Sequence, residues 1–388
     1  MLSPGAVAQQ IRYVSPLGND ANLGTSSSPM LTIQAAVDSS SNGDIIKVFP
    51  GVYTRFKIDQ KRLSVVGTDS LNRPVINGFD TVRPVEVESR GVVLKYLSLR
   101  NGYAPGTRNW SRGGLLFGGY DSLTVIGCDF KNGFGSQGGD YYAGGGRVTF
   151  INCTFLHNQS PLSNNNSGFH VDNGLWANFY NCTFDATGYS HLFSVGYTHR
   201  IYNSTIVNLS GSLYNVPWQN HEIIIANTIV DGAGPNMRVY PDTLQGFWGQ
   251  WQGQIQITNC RLPRSSASYT FRDGGSLTVV GCDTLPVQFI NYASGDYRLQ
   301  LNDPHHNRGS LDFIYYKDLY GNGRPDTNYR VDMGAFESNY IVWNPNAIDI
   351  EFSKINVLCH GGSTGMVTAH PVGGIPPYSY VWLSLIHI

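Results

Sequence analysis

The stretch VTFINCTF, residues 148–155, decides how the chain is read, because it recurs. Six further copies read LTVIGCDF (123–130), ANFYNCTF (177–184), HRIYNSTI (199–206), EIIIANTI (222–229), IQITNC (255–260) and LTVVGCDT (277–284). Aligned on one column they superpose Cys128, Cys153, Cys182, Ser204, Asn227, Cys260 and Cys282, at successive spacings of 25, 29, 22, 23, 33 and 22 residues. Self-similarity at a period of 20–50 residues is the signature of a solenoid, whose units bury their apolar faces only against one another.

Within each copy apolar and polar residues alternate ahead of the column, as in Leu123 and Val125 or Val148 and Phe150. That is the two-residue period of a strand. The residues are β-branched or aromatic, which suits a pleated, half-buried surface. Immediately before the column stand Gly127, Asn152, Asn181, Asn203, Asn259 and Gly281, with Ala226 as the exception. Glycine and asparagine tolerate left-handed backbone, so this position predicts a tight bend between two strands. After the bend the column residue is expected to face inward. Thr154, Thr183, Thr205 and Thr228 then face outward, and Phe130, Phe155, Phe184, Ile206 and Ile229 inward again.

Strand–bend–strand units without intervening helices predict an all-β fold, a parallel β-helix of roughly ten coils. Stacking about 4.8 Å apart, these make a rod about 50 Å long. RLSVVGTDS (62–70) and VVLKYLSLRNG (92–102) read as two earlier coils. Five of the six cysteines fall in the repeat column, where each is a small inward apolar side chain; a disulfide array is the alternative. No Cys-x-x-Cys pair points to zinc.

Of the 388 residues only 14% are charged, and the formal net charge is −1. That balance argues against nucleic acid as a partner, which would want a basic face. No run of about 18 apolar residues offers a membrane-crossing helix.

Three stretches resemble known families. IRYVSPLGNDANLGTSSSPMLTIQAAVDSSSNGDIIKVFPGVYT (11–54) resembles the opening segment of secreted right-handed β-helix proteins of the pectin-lyase-like superfamily. The resemblance implies a capping helix and a first coil. Locally, Thr32 precedes an amphipathic Ile33, Ala36, Val37 pattern able to plug the end of the coil. Asp296 to Glu337 is similar to the closing segment of the choice-of-anchor group of bacterial β-helix proteins, departing from it at Pro304-His305-His306. IEFSKINVLCHGGSTGMVTAHPVGGIPPYSYVW (350–382) resembles one SprB-type repeat, a small all-β adhesin module; Cys359, Gly361, Gly362, Gly365, Gly373, Gly374, Pro376, Pro377, Tyr378, Tyr380 and Trp382 carry the likeness.

Together these resemblances imply an exported, cell-surface protein with a β-helix over 9–338, a linker over 339–349 and a β-sandwich-like repeat over 350–382. Residues 1–8, with Ala6-Val7-Ala8 before Gln9, read as a signal-peptide remnant. Residues 383–388, LSLIHI, match what a transposon sequencing adapter encodes in frame, and the chain is expected to be a fragment. Secretion and anchoring machinery would act through a missing C-terminus.

The superfamily resemblance implies lyase or hydrolase chemistry, which the residues must support for themselves. The Asn-Thr-Asp, Asp-Asp and Gly-His-Gly motifs of polygalacturonase-type hydrolases do not occur in the sequence. A candidate catalytic constellation is His170 with Asp172 at i+2 on one strand face, joined by His191, His199 and Arg200 from later coils. Lys131 and Arg147 beside Asp129 and Asp140 form a second candidate, a lyase base near a Ca2+ site. Asp318, Asn322 and Asp326 offer oxygen ligands for Ca2+, although DLYGNGRPD reads first as turn chemistry. No other metal or cofactor is expected. Trp218, Tyr240, Trp248 and Trp251, on long insertions rich in amides, form a candidate glycan-binding set.

The expected function is therefore a non-catalytic adhesion or carbohydrate-binding module on the cell surface. A lyase acting on uronic-acid polysaccharide and a purely structural spacer are the alternatives.

Overall fold

The computed structural model describes residues 9–104, 113–119, 122–135, 137–156, 167–171, 174–187, 189, 191–195, 198–209, 212–215, 222–232, 239–240, 254–263, 276–314, 317–325, 330–338, 348–355 and 366–373. The chain divides into one unit to Glu337 and a second from Ser338.

The first unit is a right-handed parallel β-helix, and its described residues form three sheets of 11, 8 and 8 strands. Each coil follows one route. Leu123–Ile126 lies in the first sheet, Gly127 bends, Asp129–Phe134 lies in the third sheet and Gln137–Ala143 in the second. Gly146–Ile151 then returns to the first sheet beside Leu123–Ile126, with Leu123 opposite Val148 and Val125 opposite Phe150. Parallel register of this kind places like on like, which is why the sequence repeats.

The bends are left-handed as expected: φ is 60° at Gly127, 54° at Asn152, 51° at Asn181, 49° at Asn203, 48° at Asn259 and 65° at Gly281. The remaining copy corrects the alignment. Asn227 has φ 51°, while Ala226 continues the strand and pairs Tyr202. Asn227 is therefore the bend and Thr228 the column residue, so the apparent exception disappears. Ile229 in turn pairs Thr205 on the outer row, and Val230 takes the inward place beside Ile206.

The column itself faces the axis. Cys128, Cys153, Cys182, Ser204, Thr228 and Cys260 are fully buried, and Cys282, on the last coil, is half-buried. The five cysteines of the column are free thiols. Burial pushes the thiols of Cys128, Cys153 and Cys260 well above their ordinary range, so they stay protonated and act as small apolar groups. Next to the column, Phe130 stacks on Phe155 at 4.6 Å and Phe155 on Phe184 at 5.1 Å. Phe150 and Phe179 stack at 5.3 Å with nearly parallel rings. This aromatic stack fills the middle coils.

The start of the helix is plugged by α1, Ile33–Ser39, whose N-cap Thr32 accepts from Ala35 N at 3.2 Å. Its buried residues are Ile33, Ala36 and Val37, the apolar pattern legible in the sequence. No helix among the described residues is long and apolar enough to cross a membrane.

The described residues between Phe289 and Glu337 turn back along the outside of the third sheet. Phe289, Tyr297, Leu299, Met333, Ala335 and Phe336 form a second core with Val207 and Ile229 of the coils. This is why Thr183 and Thr205, on the outer row, are nevertheless buried; Thr205 Oγ1 accepts from Ala335 N at 2.9 Å. Pro304-His305-His306 forms the polar heart of this segment. His305 bridges Asp303 (2.7 Å) and Asp283 (3.0 Å), and His306 contacts Asp332 (3.0 Å). Arg324, fully buried, pairs with Glu337 at 3.1 Å and donates to Asp332 O and Gly334 O.

In the second unit, Ile348–Ile355 and Met366–Gly373 pair as an antiparallel hairpin.

Candidate functional site

The outer face of the first sheet carries an unusual group of side chains. Along Gly174–Tyr180, Ala177 and Phe179 face the axis and are buried, so Trp176, Asn178 and Tyr180 alternate outward. Register sets their neighbours: Trp176 lies between Arg147 and Thr198, Asn178 between Thr149 and Arg200, and Tyr180 between Ile151 and Tyr202.

Trp176 is 38% exposed, a large solvent-facing area for an indole in the middle of a sheet. The Arg147 guanidinium lies 4.4 Å from the indole centroid and that of Arg200 5.3 Å. Each contact is worth about 0.5–1 kcal/mol at an exposed site, enough to fix a long side chain in place. Arg200 also lies 3.6 Å from Glu222 Oε2, an exposed and therefore weak pair.

Toward the bend, Tyr180 and Tyr202 meet edge to face at 5.5 Å, and Tyr202 meets Phe313 at 5.3 Å. The returning segment thus borders this face. Burial lifts the Tyr202 phenol above its ordinary range, partly offset by Arg200, so it remains a neutral hydrogen-bonding group. Indole, amide, hydroxyl and guanidinium together can stack, donate and accept; they form a binding surface.

The constellation expected from sequence is distributed differently. His170 lies on the second-sheet strand Ser167–Val171, at the position after inward Phe169, and pairs Ser194. His191 lies on the neighbouring strand but pairs Ser167, at the opposite end of the same pairing. His199 is buried facing the axis, between Ala177 and Ile223, while Arg200 faces out on the first sheet. These four residues therefore belong to two sheets and to both sides of the wall. Asp172 lies outside the described residues.

The Lys131 set is also divided. Lys131 is on the third sheet, Arg147 on the first, and Asp140 is buried on the second, accepting from Tyr189 Oη at 3.1 Å. Asp129 is held by Arg73 at 2.8 Å and Ser98 at 2.5 Å. Asp318 caps its own turn, accepting from Tyr320 N at 2.9 Å and Asn322 N at 2.7 Å, and also from Glu337 N. That is turn chemistry; Asp326 lies outside the described residues.

Of the aromatic set, Tyr240 pairs Asn215 on the second sheet. It continues the row of register positions His170, Ser194, Asn215 along the axis. Trp218, Trp248 and Trp251 lie outside the described residues.

Trp176 carries no repeat signal in the sequence, because it precedes its repeat copy. The available signal was the i, i+2 spacing of Trp176, Asn178 and Tyr180 ahead of a bend.

Residues 352–385 match the family model of the SprB repeat, a span that runs past Trp382 into Leu383-Ser384-Leu385. No curated protein sequence matches the chain. Among solved structures the chain is similar to pectate lyase Pel9A, at 15% identity over 86% of this chain and 98% of that one, with a TM-score of 0.46. It is also similar to a rhamnogalacturonan lyase (14% identity, 78% and 97% covered, TM-score 0.43). A pectin methylesterase from Aspergillus niger aligns at 17% identity, covering 73% and 87%, with a TM-score of 0.39.

Proposed function

We propose that the chain is an exported, cell-surface module whose β-helix binds polysaccharide without cleaving it. The observation that carries this reading is Trp176, exposed on the outer sheet face with the Arg147 and Arg200 guanidinium groups against its indole and Asn178, Thr149 and Thr198 beside it. A pyranose ring offers C–H faces to an aromatic edge or plane and hydroxyls to amides and guanidinium groups, and this face supplies both. The SprB repeat match at 352–385 supports a surface location.

The groups assembled at Trp176 bind and orient. Tyr202 beside them, with its phenol raised, is a poor proton acceptor at neutral pH, and the Glu222 carboxylate lies against Arg200.

The test is a glycan array with the full chain and with Trp176→Ala and Asn178→Ala variants. Wild type is expected to retain one group of polysaccharides, and each variant to lose about tenfold in affinity or more. Full retention by Trp176→Ala would remove this face from the function.

A further inference from the structure

The cysteine column ends at a thiol that solvent reaches. We propose that Cys260 and Cys282, on its last two rungs, are a modification site at which low-molecular-weight disulfides form a Cys260–Cys282 bridge. The bridge would lock the final coil, and it is independent of the glycan-binding face.

Geometry sets this pair apart. Gln254–Thr258 and Ser276–Val280 pair in register at the end of the first sheet. The bridge between Arg261 and Asp283 carries that register past the bend. Cys282 therefore stands over Cys260, one coil spacing or about 4.8 Å away between backbones. Cα atoms about 4.4–6.8 Å apart suit a disulfide. The two thiols already share a hydrogen bond, and Cys260 N donates to Cys282 Sγ at 3.4 Å. Cys153 and Cys182 make the same thiol–thiol contact, but both are fully buried. Among the described cysteines, Cys282 is the one that is half-buried, so an oxidant reaches the column there.

The chemistry follows from that contact. The hydrogen bond from Cys260 draws the Cys282 thiol below its ordinary range, against the burial that raises it. A thiolate is the attacking form. The Cys282 thiolate attacks a small disulfide RSSR, forming a mixed disulfide and releasing one RS⁻. The Cys260 sulfur then attacks the Cys282 sulfur, expels the second RS⁻ and gives up its proton. Two protein thiols lose two electrons and two protons, and RSSR becomes two RSH.

The final coil has most to gain from such a bridge. Along Ser276–Val280 exposed and half-buried residues alternate, and Leu277 and Val279 are only partly covered. Segments with few buried contacts open first. A link to the preceding rung closes a loop through residues 261–281 and opposes that opening.

The experiment incubates the reduced full chain with oxidised glutathione, quenches with N-ethylmaleimide and maps every cysteine by peptide mass. The expected product is a Cys260–Cys282 linkage with Cys128, Cys153 and Cys182 still reduced. Hydrogen exchange over residues 276–283 should slow about tenfold or more in that product. Cys260→Ser should trap a glutathione adduct at Cys282, and Cys282→Ser should leave Cys260 reduced. Serine suits this column, since Ser204 already occupies it, and melting curves confirm that both variants fold. Cys359→Ser, changed at a cysteine outside the described residues, should leave the linkage unaltered. Three results would each overturn the pairing: Cys282 that stays reduced in the folded wild-type chain, a lasting glutathione adduct there beside reduced Cys260, or a Cys282–Cys359 linkage.

Discussion

Asn181 donates its side-chain amide to Asn152 Oδ1 across 3.1 Å, so two successive bends are joined by their side chains as well as by the backbone ladder. The same amides turn outward to the returning segment. Asn152 donates to Asp318 O at 2.9 Å, and Asn181 to Lys317 O. Two rungs on, Asn227 exchanges a pair of hydrogen bonds with Ser310, accepting from its N at 2.6 Å and donating to its O at 2.8 Å. Asparagine at the bend therefore does two jobs: it adopts the left-handed turn, and it docks the segment that covers the third sheet.

Replacing Asn227 separates those jobs. Asn227→Gly keeps the left-handed backbone but loses both hydrogen bonds to Ser310, with an expected loss of about 1–3 kcal/mol. Asn227→Ala adds backbone strain of about 1 kcal/mol or more. Chemical denaturation should rank the three proteins in that order, with hydrogen exchange rising first over residues 289–337. Equal stability of the glycine and alanine variants would contradict the bend assignment.

The inward column has its own test. Cys153 is fully buried among apolar neighbours. Cys153→Asp places a charge, or a neutralised acid, in the dry interior and should cost several kcal/mol, whereas Cys153→Ala should cost far less. A Cys153→Asp protein that melts at the wild-type temperature would mean the side chain does not face the axis.

The fold was legible because its signal is local and repeated. Alternation, bend residue and column all lie within eight residues, so VTFINCTF alone carries strand, turn and facing. EIIIANTI misaligns because its Thr-Ile ending matches that of HRIYNSTI, which sets Asn227 in the column and the left-handed bend one residue too early, at Ala226. The covering of Thr205 and Ile229 by Ala335 and Met333 could not be read, since docking across more than a hundred residues leaves no periodicity. The same limit hid the grouping of Arg147, Trp176 and Arg200. In the sequence Arg147 groups with Lys131, a residue the topology places on another sheet.

The histidine cluster predicts a pH optimum for the returning segment. Burial lowers the pKa of His306, but its hydrogen bond to Asp332, the charges of Asp332 and Asp303 and the Gln300 carbonyl together outweigh this, and the net shift is upward. A raised histidine contributes stability fully below its unfolded value of about 6.5 and loses it as pH rises through the folded value. Asp303 is shifted the other way. Burial raises its pKa, but hydrogen bonds from His305 and Gln288 N outweigh it, so its contribution is lost as pH falls. Melting temperature should peak between about pH 4.5 and 6.5, and His306→Gln should flatten the alkaline limb. An unchanged alkaline limb in that variant would contradict the role given to His306.

The buried pair of Arg324 and Glu337 predicts non-additivity. Removing either partner strands a charge in the interior of the returning segment, at an expected cost of about 3–5 kcal/mol. The double change Arg324→Met/Glu337→Leu should cost less than the sum of the singles, because no unpaired charge remains. Additive losses by denaturant titration would show that the two side chains do not depend on each other.

The most direct measurement of binding without cleavage follows both events in one sample. The full chain is incubated with a panel of acidic and neutral polysaccharides, with and without calcium, while retention and new unsaturated or reducing chain ends are recorded. Retention that depends on Trp176, with no chain ends above the buffer blank, is the predicted result. Accumulating chain ends that vanish on substitution of His170, in protein that still folds, would contradict it.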